Sequence, residues 1–115
     1  MTPLVAILDY GCGNLASVVN ALRHIGAECY ITRTMAHPYT HVVLPGQGAY
    51  RDIGGWRDFL NDWRTAGAPI LGIWLGMQLM CESSEEAPGV QGLGWFPYHV
   101  IRMPVERLPH VGWNP

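Results

Sequence analysis

A short segment near the middle of the chain predicts a buried strand that turns abruptly into a helix. Residues 69–78 read PILGIWLGMQ, an apolar run followed by a helix-forming stretch. Gly72 and Gly76 flank Trp74 at two residues on either side. Small residues at these positions permit a nucleophile elbow, a strained turn that presents one reactive side chain. An indole has no nucleophilic atom, so the segment predicts a scaffold for covalent catalysis without its nucleophile.

Composition excludes several classes of protein. The 115 residues are 49% hydrophobic, enough for the core of one small domain, and the net charge is −2 with no basic run to bind nucleic acid. No apolar stretch approaches the roughly 20 residues of a membrane span, and the first residues lack the basic start of a signal peptide. Cys12, Cys29 and Cys81 are scattered without metal-ligand spacing. We therefore expect free thiols, a cytoplasmic location, and neither metal nor cofactor.

Strand and helix patterns alternate along the chain. The apolar run from Leu4 to Asp9 predicts a parallel strand buried on both faces, and Asn14 is a suitable N-cap for a helix that Gly26 closes. Two further strands are predicted at 28–32 and 41–44, and a helix stripe at Trp56, Phe59, Leu60 and Trp63. An acidic loop at 82–89 follows the elbow, and short strands follow it. This pattern predicts an α/β fold with a doubly wound, mostly parallel sheet and helices on both faces, incomplete at its C-terminal end.

Four motifs occur in a specific order. They are Asp9-Tyr10-Gly11-x-Gly13-Asn14-Leu15, Leu44-Pro45-Gly46-x-Gly48-Ala49, Gly72-Ile73-x-Leu75-Gly76-Met77-Gln78 and Pro109-His110-x-Gly112-Trp113-Asn114. Together they resemble the glutaminase subunit of imidazole glycerol phosphate synthase, a class I glutamine amidotransferase of histidine biosynthesis. The resemblance covers essentially the whole chain, and it implies that residues 1–115 are part of one amidotransferase domain.

The resemblance also implies roles for individual residues. In that family a cysteine at the elbow attacks glutamine, a histidine and a glutamate complete the triad, and the ammonia passes to a cyclase subunit in a heterodimer. Here Trp74 occupies the nucleophile position, and the histidine and glutamate would lie beyond Pro115. The matching site residues are Gly46, Gln47, Gly48 and Leu75 for the oxyanion loop, Gln78 for glutamine binding, and Gly11, Asn14, Pro109, His110, Trp113 and Asn114 for the partner interface.

These assignments predict a truncated subunit that does not hydrolyse glutamine. Cys81 follows the apex by seven residues, and on a continuous helix it would lie about 10 Å further along the axis, too far to act as nucleophile. We also expect the indole of Trp74 to fill the vacated glutamine pocket, because a large aromatic side chain gains by burial.

Other interpretations remain open. The glycines at 46 and 48 are also ordinary turn residues, Gln78 is an ordinary helix residue, and Glu82, Glu85 and Glu86 suit a solvated loop. The chain could be a non-catalytic module that binds a synthase partner, or a decayed gene product. A third alternative is dinucleotide binding, since residues 11–16 match G-x-G-x-x-A after a strand. The second strand, however, ends in Thr32-Arg33-Thr34, without the acidic residue that would bind the ribose.

Overall fold

The computed structural model describes residues 2–11, 14–46 and 53–103. In these ranges the strands are β1 (Leu4–Leu8), β2 (Glu28–Thr32), β3 (His41–Leu44), β4 (Ile70–Gly72), β5 (Ser83–Ser84) and β6 (His99–Val100). The helices are α1 (Ala16–His24), α2 (Trp56–Thr65) and α3 (Leu75–Leu79). The predicted bounds of β2 and β3 are confirmed, and so is the alternation of strands with helices.

Four strands form one parallel sheet in the order β2-β1-β3-β4. Val5 pairs with Cys29 of β2 and with His41 of β3, while Leu44 pairs with Gly72 of β4. The chain moves outward from β1 to β2 and then returns to build the other side, which makes the β1/β3 boundary a topological switch point. The predicted α/β fold with a mostly parallel sheet is confirmed.

The two faces of the sheet are covered by different helices. On one face Leu60 of α2 is buried with Leu8 and Leu44, and the stripe residues Trp56, Phe59 and Trp63 pack around them. On the other face Val5, Ile7 and Val43 pack against Val18, Val19 and Leu22 of α1. Burial on both faces explains why the strands read as continuous apolar runs.

The segment after the elbow closes against α2. The indole of Trp95 donates to Asn61 Oδ1 at 2.7 Å, and the guanidinium of Arg57 donates to the carbonyl oxygens of Gln91 and Gly92 at 2.6 Å each. The backbone N–H of Leu93 donates to the carbonyl of Leu79 at 2.7 Å. These bonds hold the two-stranded parallel ribbon of β5 and β6 beside α3. The predicted acidic loop at 82–89 therefore contains a short strand.

Within the described residues no helix combines the length and apolar character required to cross a membrane.

Candidate active site

The elbow has the backbone geometry that the sequence predicts. Trp74 has φ 54° and ψ −114° and immediately precedes α3. Within the described ranges it is the only residue other than glycine with positive φ. Such a conformation costs about 1–3 kcal/mol for a residue with a side chain, so the surrounding structure must enforce it.

Close backbone packing enforces this conformation. A Cβ on Gly76 would overlap the carbonyl group of Leu44, which shows that α3 starts directly against the end of β3. A Cβ on Gly72 would lie 2.9 Å from the Cα of Met77, so the strand and the helix approach each other closely. The N–H of Ile73 donates to the carbonyl of Leu44 at 2.9 Å. The elbow is therefore determined by its neighbours and not by the side chain at its apex.

The indole of Trp74 does not fill a pocket. Its side chain is 62% exposed, so the expectation that it would be buried in the vacated site is wrong. The positive φ directs the apex side chain outward from the turn, and no element of the described structure closes over it. Exposure leaves the indole without the burial that was expected to compensate the strain.

The oxyanion segment is described only at Gly46, since Gln47 and Gly48 lie outside the described residues. A Cβ on Gly46 would be 2.5 Å from Cβ of Leu75 and 2.7 Å from the hydroxyl oxygen of Tyr10. That hydroxyl donates to the carbonyl of Pro45, which links the ends of β1 and β3 across the switch point. The N–H of Leu75 donates to the carbonyl of Gly46 at 3.3 Å. This N–H, which the sequence predicts to be an oxyanion donor, is therefore engaged by Gly46 in the structure.

Gln78 lies in the first turn of α3, where its N–H donates to the carbonyl of Trp74 at 3.1 Å. Its side chain lines a cavity of about 420 Å³. We call this space the Gln78 cavity; its other lining residues include Ser84, Glu85, Glu86, Val100 and Arg102. The Glu85 carboxylate also accepts the N–H of Arg102 at 3.0 Å.

The sequence did not indicate the charged walls of this cavity. Glu85 and Glu86 are exposed, as predicted, but they face the same space as Gln78. They are brought there by the parallel pairing of Ser84 with Val100, and each strand of that ribbon has only two residues. A two-residue strand carries no periodicity, so the acidic pattern at 82–86 was the only available signal.

Neither described thiol is placed as a nucleophile at the elbow. Cys29 is buried in the cluster on the α1 face, and Cys81 is a buried free cysteine. The expectation that Cys81 continues the elbow helix is wrong, because α3 ends at Leu79. Desolvation on burial raises the pKa of the Cys81 thiol, which disfavours the nucleophilic thiolate. In the ranges that the structure describes, no group of three or more His, Cys, Asp or Glu side chains could hold a metal ion.

The described part of the predicted interface lies at the carboxyl edge of the sheet, where the C-terminal ends of the parallel strands meet. Gly11 and Asn14 are exposed after β1, at the same edge as the elbow after β4. Pro109, His110, Trp113 and Asn114 lie outside the described residues. Arg33 also lies at this edge and pairs with Asp9, its Nε 3.1 Å from Oδ2.

The fold and the elbow define a class of protein, and comparison with known proteins agrees. The family model "Glutamine amidotransferase class-I" matches residues 6–112. The chain belongs to the class I glutamine amidotransferase family.

Its relatives include subunits of one synthase. The chain is 42% identical to the imidazole glycerol phosphate synthase subunit HisH of Methanothermobacter thermautotrophicus, over 96% of this chain and 60% of that protein. It is 42% identical to the HisH subunit of Bacillus cereus strain G9842, over 96% of this chain and 57% of that protein. For the HisH subunit of Saccharolobus solfataricus the identity is 37%, over 94% of this chain and 57% of that protein. The chain thus spans about three-fifths of the length of these curated relatives.

Proposed function

We propose that this chain is part of a HisH-type amidotransferase domain that binds glutamine and a synthase partner without hydrolysing glutamine. The observation that carries the proposal combines two facts: Trp74 at the apex is 62% exposed, and it does not line the Gln78 cavity. The chain therefore retains space for the ligand but not the atom that would attack it.

The absence of hydrolysis follows from the chemistry of the apex. Class I amidotransferases use a thiolate at this position, and covalent catalysis requires an activated nucleophile within bonding reach of the amide. The indole of Trp74 supplies none; the thiol of Cys29 is buried in β2, and that of Cys81 is buried after the end of α3. We expect no thioester to form.

Glutamine binding is supported by the walls of the Gln78 cavity. Free glutamine carries an ammonium group and a carboxylate on its α-carbon. The carboxylates of Glu85 and Glu86 suit the ammonium group, and the guanidinium of Arg102 suits the carboxylate. The carboxamide of Gln78 both donates and accepts hydrogen bonds and can contact either group.

A synthase partner is supported by the relatives, each of which is named as a subunit of imidazole glycerol phosphate synthase. We propose a heterodimer with a cyclase-type subunit in the cytoplasm. Its interface would include Gly11 and Asn14 at the carboxyl edge, together with Pro109, His110, Trp113 and Asn114. The dinucleotide alternative is weakened within the described residues, because Arg33, the residue suited to a 2′-phosphate, pairs with Asp9.

Calorimetry with glutamine and an assay for glutamate release, each with and without a cyclase subunit, test the proposal. We expect saturable binding and no glutamate above a heat-killed control. Gln78→Ala and Glu86→Gln should each weaken binding by about tenfold, the effect of losing one hydrogen bond to a charged group. The matched control is Glu82→Gln, because Glu82 is exposed and does not line the cavity.

Two outcomes contradict the proposal. Glutamate release by the unmodified chain would show that another nucleophile acts, and equal binding by all three variants would place glutamine elsewhere. Trp74→Cys in the 115-residue chain should add little glutamate release, because the members of a triad act as a unit.

A further inference from the structure

A second concave surface lies at the lateral edge of the sheet formed by β2, and the elbow follows β4 at the other lateral edge. Strand β2 is one of the two outer strands of the four-stranded sheet, and residues 34–39 lie beside it. Between them is a space of about 500 Å³, which we call the edge groove. The residues that matter for its chemistry are Glu28, Tyr30, His37 and Tyr39. Its volume is within the range of about 300–1,000 Å³ that is usual for small-molecule sites.

Aromatic rings form much of the wall. Tyr39 is buried at 8% exposure and Tyr30 is 48% exposed, so one ring is fixed in the core and the other is half in solvent. The His37 ring packs edge-on against Tyr39, with centroids 5.9 Å apart and an interplanar angle of 83°. The face of a tyrosine ring is electron-rich and attracts cations. Such walls favour a positively charged ligand over a neutral or negative one.

One carboxylate is held at the same place. The hydroxyl of Tyr30 donates to Oε1 of Glu28 at 2.8 Å. This hydrogen bond is the main reason that the pKa of Tyr30 is raised, and it fixes the carboxylate at the groove. Within the described residues Glu28 has no ion-pair partner, because the one ion pair found there joins Arg33 to Asp9. A cation entering the groove would therefore meet a carboxylate with no cationic neighbour in contact.

A competing positive charge is Arg23 on α1. Its positive charge lowers the pKa of Tyr30, but by less than Glu28 raises it. Arg23 therefore weakens the negative potential of the groove without cancelling it. Removing the charge of Arg23 should therefore strengthen the binding of a cation, whereas removing the charge of Glu28 should weaken it.

We propose that the edge groove binds an organic cation, a guanidinium or ammonium group, between Glu28 and the rings of Tyr30 and Tyr39. Glu28 accepts charge-assisted hydrogen bonds from the ligand, and the rings stabilise its charge from the sides. The site does not overlap the Gln78 cavity and does not depend on the proposed function. The cation belongs either to a free small molecule or to an arginine side chain of a peptide.

Calorimetry with Nα-acetyl-L-argininamide (argininamide below) tests this proposal, with Nα-acetyl-L-citrullinamide as the neutral probe of the same shape. We expect argininamide to bind at least about tenfold more tightly. Glu28→Gln should weaken the affinity for argininamide about tenfold, and Tyr30→Leu should weaken it about threefold through the loss of one cation–π contact. Arg23→Gln should strengthen binding by about twofold, since a competing charge near the surface is partly screened. Glu82→Gln is the charge-matched control and should bind like the unmodified chain.

The proposal is overturned if the two probes bind equally or if Glu28→Gln leaves the affinity of argininamide unchanged. Circular dichroism of each variant separates loss of the site from loss of the fold. An acetylated Thr-Arg-Thr amide distinguishes the two sources of the cation. Tighter binding than argininamide indicates a peptide-borne arginine, and equal or weaker binding indicates a free small molecule.

Discussion

The turn from β1 to α1 is held by polar side chains, whereas the elbow from β4 to α3 is held by contacts between backbones. After β1, Asp9 accepts the N–H of Gly11 at 3.1 Å and pairs with Arg33, and Asn14 accepts the N–H of Ala16 at 2.9 Å. Neither N-cap residue, Leu15 of α1 or Trp74 of α3, makes a side-chain capping bond, and at the elbow no polar side chain before the N-cap is observed to take that part. The start of α3 is fixed instead by the approach of Gly76 to the carbonyl of Leu44.

This difference explains how the apex residue can change while the turn persists. A turn that relies on polar side chains loses its support when one of those side chains is replaced. A turn that relies on backbone packing keeps its shape as long as its glycines remain. The apex can therefore carry tryptophan at a cost in strain while the turn keeps its shape.

The largest expected effect comes from adding one methyl group at the close contact of the elbow. Gly76→Ala should lower the free energy of unfolding by about 3 kcal/mol, because the new Cβ overlaps backbone atoms that cannot move aside. Urea unfolding followed by circular dichroism measures the change. Gly55→Ala is the control, since Gly55 has φ −68° and a Cβ added there would meet no atom within 4 Å, and it should be neutral or slightly stabilising. Equal midpoints for the two variants would show that the elbow is not held by this contact.

A smaller effect, of opposite sign, is expected at the apex. Trp74→Gly should raise the free energy of unfolding by about 1 kcal/mol over Trp74→Ala, because glycine adopts positive φ without strain and its greater chain entropy offsets only part of the gain. Trp74→Ala removes the indole and keeps the Cβ, so this pair separates strain from packing. The same unfolding measurement applies. A glycine variant less stable than the alanine variant would show that the apex is not strained.

The smallest effect concerns the polar turn and depends on pH. The N–H of Gly11, and then Arg33, lower the pKa of Asp9 below its ordinary value of 3.8. Because the folded pKa is depressed, this carboxylate stabilises the fold above pH 3.8, and the contribution is lost as the pH falls through the lowered pKa. Asp9→Asn should cost under about 1 kcal/mol near neutral pH, since the pair is partly exposed, and the difference should vanish in acid. If the stability difference between the unmodified chain and Asp9→Asn persists undiminished at low pH, the effect comes from the shape of the side chain and not from its charge.

The two turns also differ in how far their sequences predict them. The predicted N-cap of α1 is wrong by one residue, because Leu15 occupies that position without a side-chain cap, and Asn14 before it accepts the N–H of Ala16. Gly26, with φ 88°, follows the end of α1 as predicted, because positive φ depends on the residue type at one position. The elbow backbone was predicted for the same reason, from glycines at fixed offsets around Trp74. The direction of the indole was not, since it depends on which surfaces the rest of the chain brings near the apex.

The end of α3 and the Gln78 cavity could not be predicted from the sequence either, because both depend on contacts between distant segments. The end of α3 at Leu79 is followed by a reversal in which Leu93 and Trp95 bond back to α3 and the residue after it, and this moved Cys81 off the predicted helix. The Gln78 cavity depends on the pairing of β5 with β6, which joins Ser83 to His99 across a long stretch of chain. Long-range pairing of very short strands leaves no local pattern to detect.

The sequence by itself determined the α/β fold, the bounds of β2 and β3, and the strained elbow with tryptophan at its apex. These properties depend on apolar periodicity, on glycine at particular positions and on the chemistry of one residue type, all of which are local. Only the tertiary structure decided that Trp74 is exposed, that Glu85 and Glu86 face Gln78, and that Glu28 meets the two tyrosines at the sheet edge. Each of these depends on which distant segments come together, and their packing follows from the whole chain burying its apolar surface at once.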